Sequence, residues 1–193
     1  MKTSKDFGII VGARPNFIKV APLIHRIEAE YPDVTYELIH TGQHFDTEMS
    51  KVFFDQLQIP KPTVHLAIKA QYHTEKIGKM FSALKNALSQ KKYHNLIVFG
   101  DVNSTLAGAL AAVKNDVTLI HIEAGLRSHD RRMPEEINRV IVDHLSEKLF
   151  TTEPAANENL KLEGISEENI FYVGNIMIES IERYKSQFLQ SDI

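Results

Sequence analysis

Four short polar segments could carry chemistry, and each one follows a run of apolar residues. The first contains Arg14 and Lys19, the second Asp101, the third Glu123 and the fourth Glu135. Carboxylates serve as general acids and bases in proteins, whereas Arg and Lys side chains bind phosphate groups. If these segments meet at one end of a sheet, their side chains predict acid–base chemistry on a phosphorylated substrate.

The first segment places two cations at a turn that leads into a helix. Arg14 lies in the turn and Lys19 just inside the helix, where the positive end of the helix dipole also favours a phosphate or diphosphate. The segment matches neither the dinucleotide-binding G-x-G-x-x-G pattern nor a P-loop. Anion binding and simple solvation of the two cations therefore stay equally open at this point.

The second and third segments each place a carboxylate after a run of strand-forming residues. Asp101 could act in a site or could only cap the helix that follows. Glu123 ends an apolar run, and a carboxylate there is costly unless it is paired or faces a cleft. This cost favours a functional role for Glu123, with pairing to Arg127 as the structural alternative.

The fourth segment begins a helix. A proline followed by two glutamates, as in Pro134-Glu135-Glu136, is typical of a first helical turn, and Glu135 and Arg139 have the spacing of an i, i+4 ion pair. Glu135 lies away from the helix's apolar stripe, so we expect it to face water or a cleft. That stripe consists of Ile137, Val140, Ile141 and Leu145.

The elements that must position these residues alternate along the chain. Nearly continuous apolar runs are typical of strands buried on both faces, and segments of helical periodicity separate them. The alternation predicts an α/β fold, a Rossmann-like doubly wound parallel sheet that binds ligands at the carboxyl ends of its strands. The runs cover residues 7–11, 35–39, 64–68, 96–99, 117–122 and 149–152.

Composition excludes several classes of function. The 193 residues, 43% of them apolar, are enough for one full hydrophobic core. A net charge of −3 disfavours nonspecific nucleic-acid binding, so we expect no nucleic-acid partner. The absence of cysteine excludes disulfides, thiolate zinc sites, iron–sulfur clusters and a cysteine nucleophile.

The remaining signals concern metal and location. The nine histidines form no His-Glu-x-x-His arrangement, so we expect no metal site. The first apolar run is too short for a signal peptide or a membrane span. Together with the absence of cysteine, this predicts a cytoplasmic protein with no membrane partner.

In order and spacing, the motifs resemble the non-hydrolysing UDP-N-acetylglucosamine 2-epimerase family. Each matching segment is short, but their combination is highly specific and extends over essentially the whole chain. The matching segments are residues 12–15 with Lys19, 41–44, 100–105, 121–127, 133–139 and 173–175.

The resemblance implies an isomerase that interconverts UDP-GlcNAc and UDP-ManNAc for cell-surface polysaccharides. Family members eliminate UDP to give 2-acetamidoglucal and then add it back while C2 is reprotonated on the other face. The resemblance implies Asp101, Glu123 and Glu135 as the acid/base carboxylates, with Arg14, Lys19 and the first two carboxylates binding the substrate. It implies no metal and no cofactor, with UDP-GlcNAc, UDP-ManNAc and UDP as ligands.

The resemblance also implies how the chain is organised. Family members are about twice this length and consist of two Rossmann-like domains in a GT-B arrangement, in full-length proteins that form homodimers. Residues 1–170 would form the N-terminal domain, and residues 171–193 would begin the crossover to a C-terminal domain absent from this sequence. The chain alone would then be inactive or nearly so.

Two details distinguish subgroups of the family. Gln43 and His44 match a motif that forms part of an allosteric site in some bacterial members, but Asp46 and Ala70 replace the Gln and Arg of those members. These replacements argue against allosteric activation. The Arg14-Pro15 pair follows the non-hydrolysing pattern.

Three alternatives stay open beside the epimerase. Two are enzymes: a GT-B glycosyltransferase, and a hydrolysing epimerase that releases UDP and free ManNAc. The third is a non-catalytic nucleotide-sugar binding module. Three carboxylates beside an anionic ligand would weaken its binding by repulsion, so their presence favours an enzyme.

Overall fold

The computed structural model describes residues 5–42, 53–68, 72–90 and 92–188. Its strands are β1 (Lys5–Val11), β2 (Tyr36–His40), β3 (Val64–His65), β4 (Tyr93–Phe99), β5 (Thr118–Ala124), β6 (Lys148–Thr151) and β7 (Ile170–Tyr172). Its longer helices are α1 (Arg14–Glu30), α2 (His73–Gln90), α3 (Asn103–Val113), α4 (Pro134–Leu145), α5 (Pro154–Leu162) and α6 (Ile176–Phe188).

All seven strands join one parallel sheet, in the order β3-β2-β1-β4-β5-β6-β7. The order reverses between β1 and β4, which is where a doubly wound sheet opens a crevice for ligands. The Rossmann-like fold expected from the sequence is therefore confirmed. The third apolar run forms a shorter strand than expected, because only Val64 and His65 pair with β2.

Nearly every central strand residue is buried because helices cover both faces of the sheet. Successive residues alternate between two cores: Ile9 packs with α1 on one face, and Ile10 packs with α2 and α3 on the other. Strand β4 alternates in the same way. This arrangement explains why the strands read as continuous apolar runs rather than as alternating patterns.

Helix α4 buries a polar face, which is the opposite of what its apolar stripe predicts. Ile137 and Ile141 of this stripe are 46% and 38% exposed, whereas Leu145 is partly buried against the core. The buried residues of α4 are Glu136, Asn138, Val142 and Asp143. The buried polar side chains find partners in the neighbouring loops and strands, which the helical period alone cannot reveal.

The last strand and helix remain attached to this sheet. In β7, Phe171 and Tyr172 pair with Phe150 and Thr151 of β6. Helix α6 packs against α1, and its Ser180 donates a hydrogen bond of 2.8 Å to the Ile18 carbonyl. The predicted domain boundary between residues 170 and 171 therefore falls inside strand β7. The division of the chain into two domains stays a prediction.

Within the described ranges, no helix has both the length and the apolar composition that a membrane crossing requires.

The turn after β5 yields a first prediction. Gly125 has a φ of +78°, and a Cβ added to it would lie 2.5 Å from the Ala156 carbonyl oxygen. Gly164 has a similar φ of +85°, but a Cβ there would meet no atom within 4 Å. Gly164→Ala should therefore lower the free energy of unfolding by about 1 kcal/mol, the cost of the left-handed backbone alone.

Gly125→Ala should lower the free energy of unfolding by about 3 kcal/mol or more, since it adds a collision with backbone to the same backbone cost. Urea denaturation of the two variants would measure the difference. Equal destabilisation would contradict the close approach of the Gly125 turn to α5.

Candidate functional site

The turn after β1 is held against the adjacent strand β4. The Asn16 side-chain oxygen accepts hydrogen bonds of 3.1 Å from the backbone N–H groups of both Gly12 and Ala13. The Asn16 amide nitrogen donates to the Phe99 carbonyl at 3.5 Å. One buried side chain thus joins the turn that carries Arg14 to the carboxyl end of β4, at the point where the strand order reverses.

The two cations of this turn have different environments. Arg14 is exposed, with its guanidinium 6.0 Å from the centre of the Phe53 ring. Lys19 is only 8% exposed and forms an ion pair with Glu123. Simple solvation is therefore wrong for Lys19, because a buried ammonium group needs a partner and Glu123 is that partner.

Glu123 leaves the regular geometry of its strand. Its φ is +72°, a left-handed value that is unusual for a residue with a side chain, and the pairing of β5 with β6 shifts register at this position. The half-buried carboxylate pairs with Lys19 and not with Arg127, so the structural alternative expected for Glu123 is wrong. Such strain is typical of functional sites.

Asp101 lies in the turn after β4, two residues beyond the end of the strand. Val102 is the N-cap of α3, so Asp101 does not cap that helix. Its carboxylate pairs with Arg139 of α4, and its backbone carbonyl accepts a 2.7 Å hydrogen bond from the Asn138 side chain. The neighbouring Gly100 approaches Lys19, whose Nζ is 3.4 Å from the position of a Cβ on that glycine. Helix α4 therefore holds Asp101 near the cation of the first turn.

Glu135 and Glu136 occupy opposite environments. Glu135 is exposed, and no described residue forms a hydrogen bond or an ion pair with its carboxylate. Arg139 pairs instead with Glu136 and Asp101, so the expected Glu135–Arg139 pair is wrong. Of the three predicted carboxylates, the structure brings Asp101 and Glu123 to adjacent strand ends and leaves Glu135 at the surface.

The buried glutamate of this pair organises the loop before α4. Glu136 accepts hydrogen bonds of 2.9 Å from the backbone N–H groups of Ser128 and His129, and one of 3.0 Å from the Ser128 hydroxyl. Burial raises its pKa, but these donors and Arg139 outweigh burial and lower the pKa to about 2. Sequence reasoning missed Glu136, because two glutamates in a first helical turn are explained by the helix dipole alone and do not show which side chain is buried.

A second network of buried polar side chains includes His121, two residues before Glu123 in β5, and sequence reasoning missed it as well. Asp143 is fully buried and contacts His121 Nδ1 at 2.6 Å, Arg127 at 2.7 Å and the Gly125 N–H at 3.1 Å. Burial alone would raise the pKa of Asp143, but His121 and Arg127 outweigh burial, and the pKa lies below its ordinary value. The sequence contains one sign of this network, since His121 and Asp143 are each a polar residue inside an apolar segment.

The sequence also predicted two residues of a possible allosteric site, Gln43 and His44, and no metal site. Gln43 and His44 lie outside the described residues. In the part of the chain that is described, no group of three or more His, Asp or Glu side chains is placed to hold a metal ion. The described site thus offers carboxylates paired with cations, an arrangement suited to moving protons near an anionic ligand.

Comparison with known proteins gives a consistent picture. A family model described as UDP-N-acetylglucosamine 2-epimerase matches residues 26–193. A UDP-N-acetylglucosamine 2-epimerase homolog of Methanococcus maripaludis is 49% identical over 172 residues, 89% of this chain and 47% of that protein. A UDP-2,3-diacetamido-2,3-dideoxy-D-glucuronate 2-epimerase of Pseudomonas aeruginosa is 46% identical over 173 residues, 89% of this chain and 49% of that protein.

A solved structure agrees closely with the fold. The crystal structure of the Methanocaldococcus jannaschii UDP-GlcNAc 2-epimerase, in complex with UDP-GlcNAc and UDP, superposes with a TM-score of 0.92 at 40% identity. The match covers 98% of this chain and 51% of that one. The chain therefore spans about half the length of the relatives it matches.

The contrast between the two glutamates yields a second prediction. Glu136→Gln should lower the free energy of unfolding by about 1–3 kcal/mol, since the buried carboxylate's charge-assisted hydrogen bonds are weakened. Glu135→Gln, its exposed neighbour, should change it by less than about 0.5 kcal/mol. Thermal or urea unfolding at neutral pH would measure both effects.

The effect of Glu136→Gln should also depend on pH. The pKa of Glu136 is about 2 in the folded protein and about 4.3 in an unfolded chain. A depressed pKa stabilises the fold above the unfolded value, so the deficit of the variant should be full above about pH 5 and shrink as the pH falls toward 2. A deficit that stays constant down to pH 3 would contradict the charged role of Glu136.

Proposed function

Since the chain belongs to the UDP-N-acetylglucosamine 2-epimerase family, we propose that it forms the nucleotide-sugar-facing half of an enzyme that interconverts UDP-GlcNAc and UDP-ManNAc. The observation that carries the proposal is the buried Lys19–Glu123 pair beside the Asp101 turn, at the carboxyl ends of adjacent strands. The reaction eliminates UDP to give 2-acetamidoglucal and adds it back, which serves cell-surface polysaccharide synthesis. It needs acid/base groups near C2 and cations near the diphosphate.

We assign the acid–base work at C2 to Asp101 and Glu123. Both carboxylates are partly accessible, with 29% and 22% of their side-chain surface exposed, and both are held by fixed cations. Such partners hold each carboxylate in place before the substrate binds, so that it is already positioned for proton transfer. Glu135 would be the third carboxylate, and its exposed position leaves it free to meet a ligand that lies over α4.

We assign the diphosphate to the first turn. Arg14 is exposed at the start of α1, where the helix dipole also favours an anion. A diphosphate near Lys19 would compete with Glu123 for the ammonium group. Substrate binding would then loosen Glu123 from its partner and make its carboxylate available as a base.

The other half of the site would come from a second domain. The chain spans about half the length of its relatives, and Ile178 and Ile181 of α6 are 57% and 56% exposed. These observations support a GT-B arrangement in which residues 171–193 begin the crossover. We also propose a homodimer of the full-length protein, supported by the exposed Ile137 and Ile141, and a cytoplasmic location, supported by the absence of cysteine.

A second substrate has support of its own. The Pseudomonas relative named for UDP-2,3-diacetamido-2,3-dideoxy-D-glucuronate is about as similar to this chain as the methanogen relatives are. The chemistry at C2 would be the same, and the two sugars differ at C3 and C6. For the products, the Arg14-Pro15 pair supports retention of UDP over release of free sugar.

The third prediction tests the reaction. The full-length protein that contains this chain should convert UDP-GlcNAc to UDP-ManNAc in D2O and incorporate deuterium at C2, as followed by proton NMR. Glu123→Gln should lower the turnover by at least about 100-fold, because it removes a proton-transferring group. Glu147→Gln, an exposed residue outside the site, should have wild-type activity.

Other products would point to other functions. Release of UDP and free ManNAc would indicate a hydrolysing epimerase, and turnover only with an acceptor would indicate a glycosyltransferase. Turnover of only the diacetamido glucuronate would identify the second substrate. Binding without exchange at C2 would indicate a binding module.

The fourth prediction concerns the chain by itself. The 193 residues alone should turn over UDP-GlcNAc at least about 1,000-fold more slowly than the full-length protein, because half of the cleft is missing. Mixing the chain with a separately produced C-terminal half should restore part of the activity. Full turnover by the chain alone would contradict a site shared between two domains.

A further inference from the structure

His121 is a buried residue for which the proposed chemistry provides no role. It lies in β5, two residues before Glu123, and none of its surface is exposed. Its Nδ1 is 2.6 Å from a carboxylate oxygen of Asp143, and its Nε2 is 2.8 Å from the Gly100 carbonyl oxygen. Both ring nitrogens therefore face hydrogen-bond acceptors.

The protons of the ring follow from its partners. A carbonyl oxygen has no proton to donate, so Nε2 must donate to Gly100. The Asp143 carboxylate already accepts hydrogen bonds from Arg127 and the Gly125 N–H, which favour its ionised form. Nδ1 must then donate to Asp143, and a ring that donates from both nitrogens is an imidazolium.

The surrounding charges balance such a cation. Arg127 contacts both Asp143 and Glu163, at 2.7 Å and 2.6 Å. Two cations, His121 and Arg127, thus face two carboxylates, Asp143 and Glu163. A buried cation is tolerated when it is paired and its donors are satisfied, and both conditions hold for His121.

The ring acts on the turn that carries Asp101. Gly100 has a φ of +60°, and its N–H donates a 2.9 Å hydrogen bond to the Ile122 carbonyl. Its carbonyl accepts from His121. Strand β5 therefore holds Gly100 at both its N–H and its C=O, which fixes the direction in which the chain leaves toward Asp101.

We propose that His121 is a buried imidazolium and a positioning residue, which clamps the Gly100–Asp101 turn and thereby sets the place of the Asp101 carboxylate. The effect on catalysis rests on the proposed epimerase function. The charge state of the ring and the clamp on the turn do not depend on that function. Both are therefore measured on the 193-residue chain itself.

The first measurement uses the wild-type chain and needs no substitution. With ¹⁵N-labelled histidine, both ring nitrogens of His121 should give protonated-type resonances with attached hydrogens at pH 7. Exposed His94 provides the comparison within the same sample. A non-protonated ring nitrogen on His121 would overturn the imidazolium assignment.

Two variants separate the charge from the clamp. Asp143→Asn removes the counter-ion, and the His121 ring should then lose one proton and give one non-protonated nitrogen resonance. His121→Gln should increase the hydrogen exchange of the Gly100 amide at least tenfold, while the hydrogen-bonded Tyr31 amide at the end of α1 stays unchanged. His144→Gln, at an exposed histidine of α4, should leave the exchange of both amides unchanged. An equal rise in exchange at Gly100 and Tyr31, or no rise at Gly100, would overturn the clamp.

Kinetics of the full-length protein give the last test. His121→Gln should lower kcat for UDP-GlcNAc at least tenfold and change KM by less than threefold, because the turn is displaced while the cations of the first turn remain. If His121→Gln instead raises KM at least tenfold and leaves kcat unchanged, the positioning role of His121 in catalysis is overturned. If the wild-type enzyme has no epimerase turnover, the proposed function fails, and the NMR measurements still decide the charge and the clamp.

Discussion

A carboxylate buried away from water must be paired, and Asp143 is the residue on which this constraint acts most strongly. Its partners come from the strand β5, the turn after it and the segment that follows, and Arg127 extends the network to Glu163 at the end of α5. Because each member needs the others to be satisfied, the network joins β5, α4 and α5 into one unit. Its contact with Gly100 transmits that rigidity to the end of β4.

The candidate site is built from chain segments that depart from regular strand geometry. These segments lie at the strand ends next to this rigid unit. Glu123 has left-handed backbone at a register shift, and Gly100 turns sharply after β4. Both lie where parallel strands end beside the reversal of strand order, the place at which doubly wound sheets bind ligands. The strain at Glu123 is offset by its ion pair with Lys19, so the same contact stabilises the fold and orients a reactive carboxylate.

Helix α4 reverses the usual division between apolar inside and polar outside. Its Glu136, Asn138 and Asp143 point inward because loops and strand ends supply donors and charges there, and Ile137 and Ile141 are left at the surface. A helix of this kind contributes positioning more than hydrophobic burial. It supports Asp101 through Arg139 and Asn138, and Glu136 organises the loop between β5 and the helix.

Much of this protein could be read from its sequence. Apolar runs and helical spacing depend on local chemistry and burial, so they were enough to predict the strands, the parallel sheet and a site at the strand ends. The motifs around Asp101 and Glu123 were equally visible in the sequence. Which partner each charge takes was not visible, because ion pairs such as Lys19 with Glu123 join residues far apart in sequence. The inward face of α4 and the roles of His121, Glu136 and Asp143 were decided only by the tertiary structure, since a polar side chain can be buried only where folding brings it a partner.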